Sequence, residues 1–315
     1  MSRPRKTIAK GRSQLHELYH KLKRRGLKLK GRKVAACKAA NQTARKIVHA
    51  GTVNFKNVAA ALGQWSFPPN LTRRNVTRKG LNYVFSDTFG LLRGPQGWSV
   101  TALTRDHPDF SRMLSGLLDE MAKTDGEVAA FAERGWTTAT VNKGRLGQGA
   151  ARHRDSRNVG QTLVVSVGRR VGGCLKVWPN DPGKVDVSTL SLDSCLTHDC
   201  RDRPVLFDGR QAHEVTSYEP LPGARSATRY SIVCYQMLGW SEAPPAVLSR
   251  ARLAGIPVPS KTSRATKAAA EAKLAQQAGD EPRPMCKQCG GEMRKKGGAR
   301  WQRKRCSRNW RAPQN

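Results

Sequence analysis

Acidic residues are scarce in this sequence, which has 23 Asp and Glu against 57 Lys and Arg among 315 residues. The formal net charge is +34 at pH 7. An excess of this size repels itself unless an opposite charge lies nearby, so it predicts a polyanionic partner. Such a basic footprint indicates nucleic acid first, DNA rather than RNA, and an anionic membrane surface is the alternative.

Three further signals are missing. No apolar run is long enough to span a bilayer, and the segment Met1–Lys6 lacks the apolar stretch of a secretory signal. The cysteines are scattered and cluster only near the end, unlike a disulfide framework. We therefore predict an intracellular protein with no membrane partner, nuclear if the source is a eukaryote.

Residues 1–50 are strongly basic, with Glu17 as the one acidic residue. Ser13 can cap a helix whose apolar residues follow at helical spacing. Two basic runs come next, Lys21–Arg25 and Lys28–Lys33. We predict a basic helical arm that contacts phosphates, and a solvated tail is the alternative.

Residues 51–136 are of mixed character and are predicted to pack on the core that follows. The clearest helix runs from Asp109 to Thr124, because its apolar residues form one stripe at helical spacing. A short helix is predicted at Val58–Leu62, and short strands at Leu81–Phe85 and Trp98–Leu103.

Several basic residues of this region lie close in sequence to two aromatic residues. They either line a nucleic-acid groove or form an ordinary basic surface over core aromatics. The residues are Arg73, Arg74, Arg78, Lys79, Tyr83 and Phe85.

From Thr137 the pattern changes to short strands separated by glycine-rich turns. Many short strands without alternating helices are typical of a double-sheet jelly roll. We therefore predict an α+β fold with a jelly-roll, double-stranded β-helix core at residues 137–240 and flanking helices. Residues 179–202 are polar and are predicted as an insertion over the mouth of the barrel.

A possible metal site lies within this core. His153 and Asp155 are two residues apart, and in an extended strand such side chains point to the same face. This pair alone is a weak signal, but His213 follows between two apolar runs. Two histidines and one carboxylate form the facial triad that holds non-haem Fe(II) with open coordination positions. Arg229, 16 residues beyond His213, can bind a carboxylate with two parallel hydrogen bonds.

The order of short motifs around these residues resembles the 2-oxoglutarate/Fe(II)-dependent dioxygenases, and among them the TET/JBP-like branch, which oxidises methyl groups of nucleic-acid bases. The resemblance covers roughly residues 137–240. The matching residues are Asn142, His153-x-Asp155, Asn158-x-Gly160, Gly172–Gly173-x-Leu175, Phe207–Asp208–Gly209, His213 and Arg229-x-Ser231.

The resemblance implies a role for each of these residues. His153, Asp155 and His213 would bind Fe(II), and Arg229 and Ser231 would bind the far carboxylate of 2-oxoglutarate. Dioxygen would be the co-substrate, and thymine or 5-methylcytosine the substrate. Asn142 and Asn158 either order loops or contact substrate.

The chain ends in a predicted linker, residues 241–284, and a basic tail, residues 285–315. Cys286, Cys289 and Cys306 resemble a zinc ribbon, but Asn309 stands where a fourth cysteine is expected. A structural zinc site needs four ligands. Zinc binding therefore stays open, with a fourth ligand from elsewhere or a degenerate site as the two possibilities.

Two other functions fit the same residues. Within the superfamily, the chain could be an AlkB-like dealkylase or a prolyl-type protein hydroxylase. In a different class, it could be a nucleic-acid-binding protein whose jelly roll is inactive. Iron-dependent formation of succinate separates this last function from the enzymatic ones.

Overall fold

The computed structural model describes residues 33–78 and 83–260, together with the short strands at 294–295 and 301–302. The chain divides into two compact units, Met1–Lys261 and Thr262–Asn315. In the second unit, Arg294–Lys295 pairs with Trp301–Gln302 as an antiparallel ribbon. Cys286, Cys289 and Cys306, like most of the predicted basic arm, lie outside the described residues.

Helices of the first unit gather around a common apolar core. Their bounds are 33–49 (α1), Phe55–Gln64 (α2), Ala102–Asp106 (α3), Pro108–Ala122 (α4), Gly126–Arg134 (α5) and Pro245–Leu253 (α6). The helix predicted at Asp109 to Thr124 is α4, and its predicted apolar stripe is buried. Asn54 caps α2 by accepting a hydrogen bond from the amide of Asn57.

The larger sheet of this unit is antiparallel and has seven strands. Their bounds are Pro69–Asn70 (β1), Val84–Gly94 (β2), Gly97–Val100 (β3), Thr138–Lys143 (β4), Asn158–Val167 (β6), Val205–Asp208 (β10) and Tyr230–Met237 (β13). The strand order is β1-β2-β4-β13-β6-β10, with β3 paired to β2. The predicted strand at Leu81–Phe85 corresponds to the start of β2, which continues nine residues beyond Phe85.

The smaller sheet has four strands, Ala150–His153 (β5), Leu175–Val177 (β8), Leu196–His198 (β9) and His213–Val215 (β11). Their order in the sheet is β5-β11-β8-β9. A separate pair is formed by Val171–Gly172 (β7) and Tyr218–Glu219 (β12).

Eight of these strands form a jelly roll. Numbered one to eight along the chain, β4, β5, β6, β8, β9, β10, β11 and β13 are arranged as 1-8-3-6 in the larger sheet and 2-7-4-5 in the smaller one. Successive strands thus alternate between two facing antiparallel sheets, except at the turn from the fourth strand to the fifth. This is the double-sheet arrangement of a jelly roll.

The two faces of β13 show how the sheet separates helices from cavity. Tyr230, Ile232 and Cys234 are buried in the core shared with the helices. Ser231, Val233 and Tyr235, alternating with them, line a cavity between the two sheets. The alternation follows from the two-residue period of an extended strand.

Several predictions about segments differ from the structure. The predicted linker, residues 241–284, includes α6 and continues into Ile256 and Val258, which are buried in the main core with Leu248 and Ala251 of that helix. The polar segment 179–202 is not only an insertion, because its end supplies β9, a core strand at the edge of the smaller sheet. Residues 33–49, within the segment predicted as an arm, form a helix whose Cys37, Ala40 and Ala44 are buried in the main core. Among the described residues, no helix combines the length and the apolar character needed to cross a bilayer.

Candidate metal centre

The structure brings His153, Asp155 and His213 together at the mouth of the jelly roll. His153 ends β5 and His213 begins β11, and the two are direct cross-strand partners. The Nε2 atoms of His153 and His213 lie 3.7 and 3.8 Å from the two carboxylate oxygens of Asp155. One ligand atom from each residue lies within 4.8 Å of the others, and no other such group of three occurs among the residues that the structure describes.

Both imidazoles are oriented by the backbone. Nδ1 of His153 lies 2.7 Å from the carbonyl oxygen of Ala151, and Nδ1 of His213 lies 2.9 Å from that of Gln211. A carbonyl oxygen only accepts, so each Nδ1 carries the proton and each Nε2 presents a lone pair to the centre. This is the arrangement that fixes a ligating histidine.

Burial keeps both histidines neutral. It lowers the pKa of His153 to about 4, with the neighbouring His213 contributing in the same direction. Burial also lowers the pKa of His213. Neutral imidazole is the metal-binding form, so the rings need not lose a charge-bearing proton before they bind an ion.

Asp155 lies beyond the end of β5, and the loop that carries it is anchored to a neighbouring turn. Its amide donates to the carbonyl of Gly209 at 2.8 Å. A Cβ atom on Gly209 would stand 2.6 Å from Oγ1 of Thr162 and 2.8 Å from Nδ2 of Asn158. The side chain of Asn158 donates to Thr162 at 3.1 Å and lines the cavity. The backbone amide of Asn158 donates to the carbonyl of Asp155 at 3.1 Å and so fixes the end of this loop.

The cavity has a volume of about 590 Å³ and contains Arg229 and Ser231 together with the three metal-ligand candidates. Arg229 is buried, and its Nε donates to the carbonyl of Gly173 at 3.3 Å. Burial, reinforced by the nearby Arg170, lowers the pKa of Arg229 to about 10. Within residues 33–78 and 83–260, no carboxylate forms an ion pair with Arg229.

Gly173 makes room for this guanidinium. Its φ is +72°, and a Cβ atom there would approach Nε of Arg229 to 2.9 Å and Nε of Arg170 to 3.0 Å. Arg170 is fully buried, and its Nε has no hydrogen-bond partner among the described residues. No local pattern predicts the burial of Arg170, because residue type alone predicts an exposed arginine.

Asn142 connects the pocket to the segment that precedes β2. Nη1 of Arg73 donates to Oδ1 of Asn142 at 2.8 Å, and Nδ2 of Asn142 donates to Oγ of Ser231 at 3.3 Å. The three side chains thus form a row along one wall of the cavity. Asn142 has an ordering role in this structure while remaining accessible from the cavity.

The rest of the cavity lining is strongly basic. Its acidic member is Asp155, whereas its cationic members are Arg73, Arg78, Lys143, Arg145, Arg154, Arg157 and Arg229. Arg145 lies over the ring of Tyr83, 5.1 Å from its centroid, and Tyr83 meets Phe85 edge to face. The predicted groove residues Arg73, Arg78, Tyr83 and Phe85 all line this cavity, while Lys79 and the side chain of Arg74 lie outside the description.

The donor set of the centre suits a non-haem iron. Two imidazole nitrogens and a carboxylate that converge from one side leave the opposite side open to the cavity. Sequence reasoning identified these three residues but not Asp181, a carboxylate that contacts the segments carrying them.

No protein-family model and no curated protein matches the sequence. The structure is similar to an oxidoreductase of the 2OG-Fe(II) oxygenase family from Burkholderia pseudomallei, at 15% identity and a TM-score of 0.41, over 57% of this chain and 78% of that chain. It is similar to a prolyl-4-hydroxylase from Pseudomonas putida at 11% identity and a TM-score of 0.28, over 64% of this chain and 87% of that one. A third similar structure is SnoK, a non-heme alpha ketoglutarate dependent carbocyclase from nogalamycin biosynthesis, at 13% identity and a TM-score of 0.32, over 61% and 75% of the two chains. At these identities and scores, the assignment of the site depends on this chain's own residues.

Proposed function

We propose that this protein is an Fe(II)- and 2-oxoglutarate-dependent dioxygenase that hydroxylates a methyl group on a nucleic-acid base, thymine or 5-methylcytosine. The observation that carries the proposal is one cavity that holds both the His153–Asp155–His213 cluster and an arginine without an ion-pair partner among the described residues. His153, Asp155 and His213 would hold iron, and Arg229 and Ser231 would hold the far carboxylate of 2-oxoglutarate. When bound, iron and 2-oxoglutarate supply the activation of dioxygen for oxidation of a C–H bond, with succinate as the co-product.

The chain's own residues orient these groups and limit the access of water. The backbone carbonyls of Ala151 and Gln211 hold the imidazoles with Nε2 toward the centre. Phe207 meets the ring of His213 edge to face at 5.0 Å and covers one side of it. The guanidinium of Arg229 is desolvated before the cofactor arrives, so an ion pair formed there is stronger than one in water.

The charge of the cavity lining supports a nucleic-acid substrate. Arg73, Arg78, Lys143, Arg145 and Arg157 line the cavity, and a basic lining of this kind attracts phosphates. Tyr83 adds an aromatic ring to the same lining, and a single base fits within about 590 Å³. Within a duplex the target base would have to leave the stack to reach the centre.

Nucleoside mass spectrometry tests the reaction and the substrate together. DNA containing thymine and 5-methylcytosine is incubated with protein, Fe(II), ascorbate and 2-oxoglutarate. We expect a hydroxymethyl nucleoside that is absent without 2-oxoglutarate and absent with His153→Ala. His198→Ala, on β9 and outside the cavity, serves as the matched control and should retain the product.

The other outcomes distinguish the alternatives. Succinate without a modified nucleoside would contradict base hydroxylation in DNA and favour RNA dealkylation or a protein substrate. The absence of both succinate and a modified nucleoside would contradict the enzymatic proposal. It would favour a nucleic-acid-binding protein with an inactive jelly roll.

The basic arm is tested by a truncation that spares the core. Because Cys37, Ala40 and Ala44 are buried in the core, the deletion must stop before residue 33. Removal of residues 1–32 should weaken DNA binding and flatten its dependence on salt concentration. An unchanged salt slope would show that the arm makes no phosphate contacts.

A further inference from the structure

Asp181 lies in the loop after β8 and is connected to both segments that carry the metal-ligand candidates. Its side chain is fully buried at 0% exposure. One carboxylate oxygen accepts from Nε of Arg154 at 2.6 Å and from the amide of Ala212 at 2.7 Å. The other accepts from Nη2 of Arg154 at 2.6 Å and from the amide of Gly183 at 2.9 Å.

Two of the three residues that donate these bonds are adjacent in sequence to the metal-ligand candidates. Arg154 stands between His153 and Asp155, and Ala212 directly precedes His213. Three of the four hydrogen bonds therefore go to residues adjacent to the metal-ligand candidates. We propose that Asp181 is a positioning residue that fixes the two ligand-carrying segments relative to each other, and this inference rests on the proposed metal site.

Attachment of the insertion alone does not account for Asp181, because the insertion has other anchors. Arg152 donates to the carbonyls of Val187 and Leu190 at 3.0 and 2.8 Å. Nε1 of Trp178 donates to the carbonyl of Ser191 at 2.7 Å. The hydrogen bonds of Asp181 connect two other segments, the loop that follows β5 and the turn that precedes β11.

The electrostatics of the Arg154–Asp181 ion pair favour a rigid connection. Burial alone would raise the pKa of Asp181, but the hydrogen bonds from Arg154, Gly183 and Ala212 lower it below its ordinary value. The carboxylate is therefore ionised, and both of its oxygens accept charge-assisted or backbone hydrogen bonds in a fixed plane. A bidentate pair of this type resists rotation more than a single hydrogen bond does.

Metal binding by Asp181→Asn tests the inference, with Co(II) as the probe because its visible spectrum reports ligand geometry. Either orientation of the asparagine amide places an NH2 group against two of the four donors. We expect Co(II) to bind roughly 10- to 100-fold more weakly, as for other residues that orient metal ligands. We also expect an altered visible spectrum of the bound ion.

Two controls separate positioning from general stability. Asp193→Asn alters an exposed carboxylate of the same insertion, which accepts from Oγ of Ser191 at 3.3 Å, and it should keep the wild-type affinity and spectrum. Val128→Ala removes core volume on α5, away from the site, and it should lower the melting temperature of the metal-free protein without changing the Co(II) spectrum. If Asp181→Asn fails to fold, Arg154→Lys gives the same test, because lysine cannot make the bidentate pair.

The outcomes distinguish this inference from the proposed function. Wild-type Co(II) affinity and spectrum in Asp181→Asn and Arg154→Lys would overturn the positioning role and leave the metal site intact. Co(II) binding that is insensitive to His153→Ala would instead overturn the metal site itself, and the positioning role with it.

Discussion

Replacing Arg229 by glutamine should make the metal-free protein more stable and the cofactor bind more weakly. Burial lowers the pKa of this guanidinium from its ordinary value to about 10, which corresponds to roughly 3 kcal/mol of unfavourable free energy at neutral pH. The substitution also removes the hydrogen bond to Gly173, worth about 1 kcal/mol, and some packing, worth about 1 kcal/mol. The net gain of about 1 kcal/mol would raise the melting temperature by about 2–4 °C.

The same substitution removes a charge-assisted hydrogen-bonding group for the far carboxylate. Such bonds contribute about 1.5–3 kcal/mol, so the affinity for 2-oxoglutarate should fall roughly 10- to 100-fold. Calorimetric titration of the Mn(II)-loaded protein measures this loss, and thermal unfolding of the metal-free protein measures the gain. Arg169→Gln changes an exposed arginine whose backbone is hydrogen-bonded to Thr228, the residue before Arg229. It is the matched control and should change neither value. An unchanged 2-oxoglutarate titration would place the carboxylate site elsewhere, and a lower melting temperature would refute the claim that the buried charge is uncompensated.

Four further substitutions address the metal centre, the pocket around Arg229, the apolar core and the basic lining of the cavity. His153→Ala should weaken Co(II) binding at least about 100-fold while the metal-free protein stays folded; retained affinity would refute the ligand set. Gly173→Ala, at φ +72°, should cost about 1–2 kcal/mol of stability and weaken 2-oxoglutarate binding but not Co(II) binding; an equal loss of both would contradict a local effect on Arg229. Burial raises the pKa of Asp87 above 3.8, so the folded state holds this proton more tightly and stability is lost as the pH rises through the folded pKa. Asp87→Asn should therefore stabilise the protein against urea at pH 7, with no gain below about pH 4, and a loss at pH 7 would show that the charge is compensated. Arg145→Gln should reduce the salt slope of DNA binding by about 1, and an unchanged slope would remove this residue from the phosphate contacts.

The sequence predicted the composition of the centre better than the way in which it is assembled. The two-residue spacing of His153 and Asp155 suggested one face of a strand, yet β5 ends at His153. Asp155 reaches the centre because its amide is bonded to the carbonyl of Gly209, which stands four residues before His213. That long-range contact has no signature in the local pattern.

Two other elements, β9 and the packed helix at residues 33–49, were not predicted from the sequence, and each has a physical reason. The strand β9 is three residues long and largely exposed, so it lacks the apolar run that marks a core strand. The helix at residues 33–49 did carry a signal, since Cys37, Ala40, Ala44 and Ile47 recur at helical spacing and are buried. The high positive charge of the surrounding residues instead favoured the prediction of a solvent-exposed arm.

Two arginines beside the centre have opposite electrostatic environments. Arg154 is bound by the buried carboxylate of Asp181 on two nitrogens, so its charge is balanced within the protein. Arg229 is buried without an ion pair among the described residues, with a second buried arginine nearby. An uncompensated buried charge is costly, and a protein tolerates it where a ligand of opposite charge completes the site. The pairing of Arg154 therefore indicates a structural connection, and the isolation of Arg229 indicates a binding site for an anion.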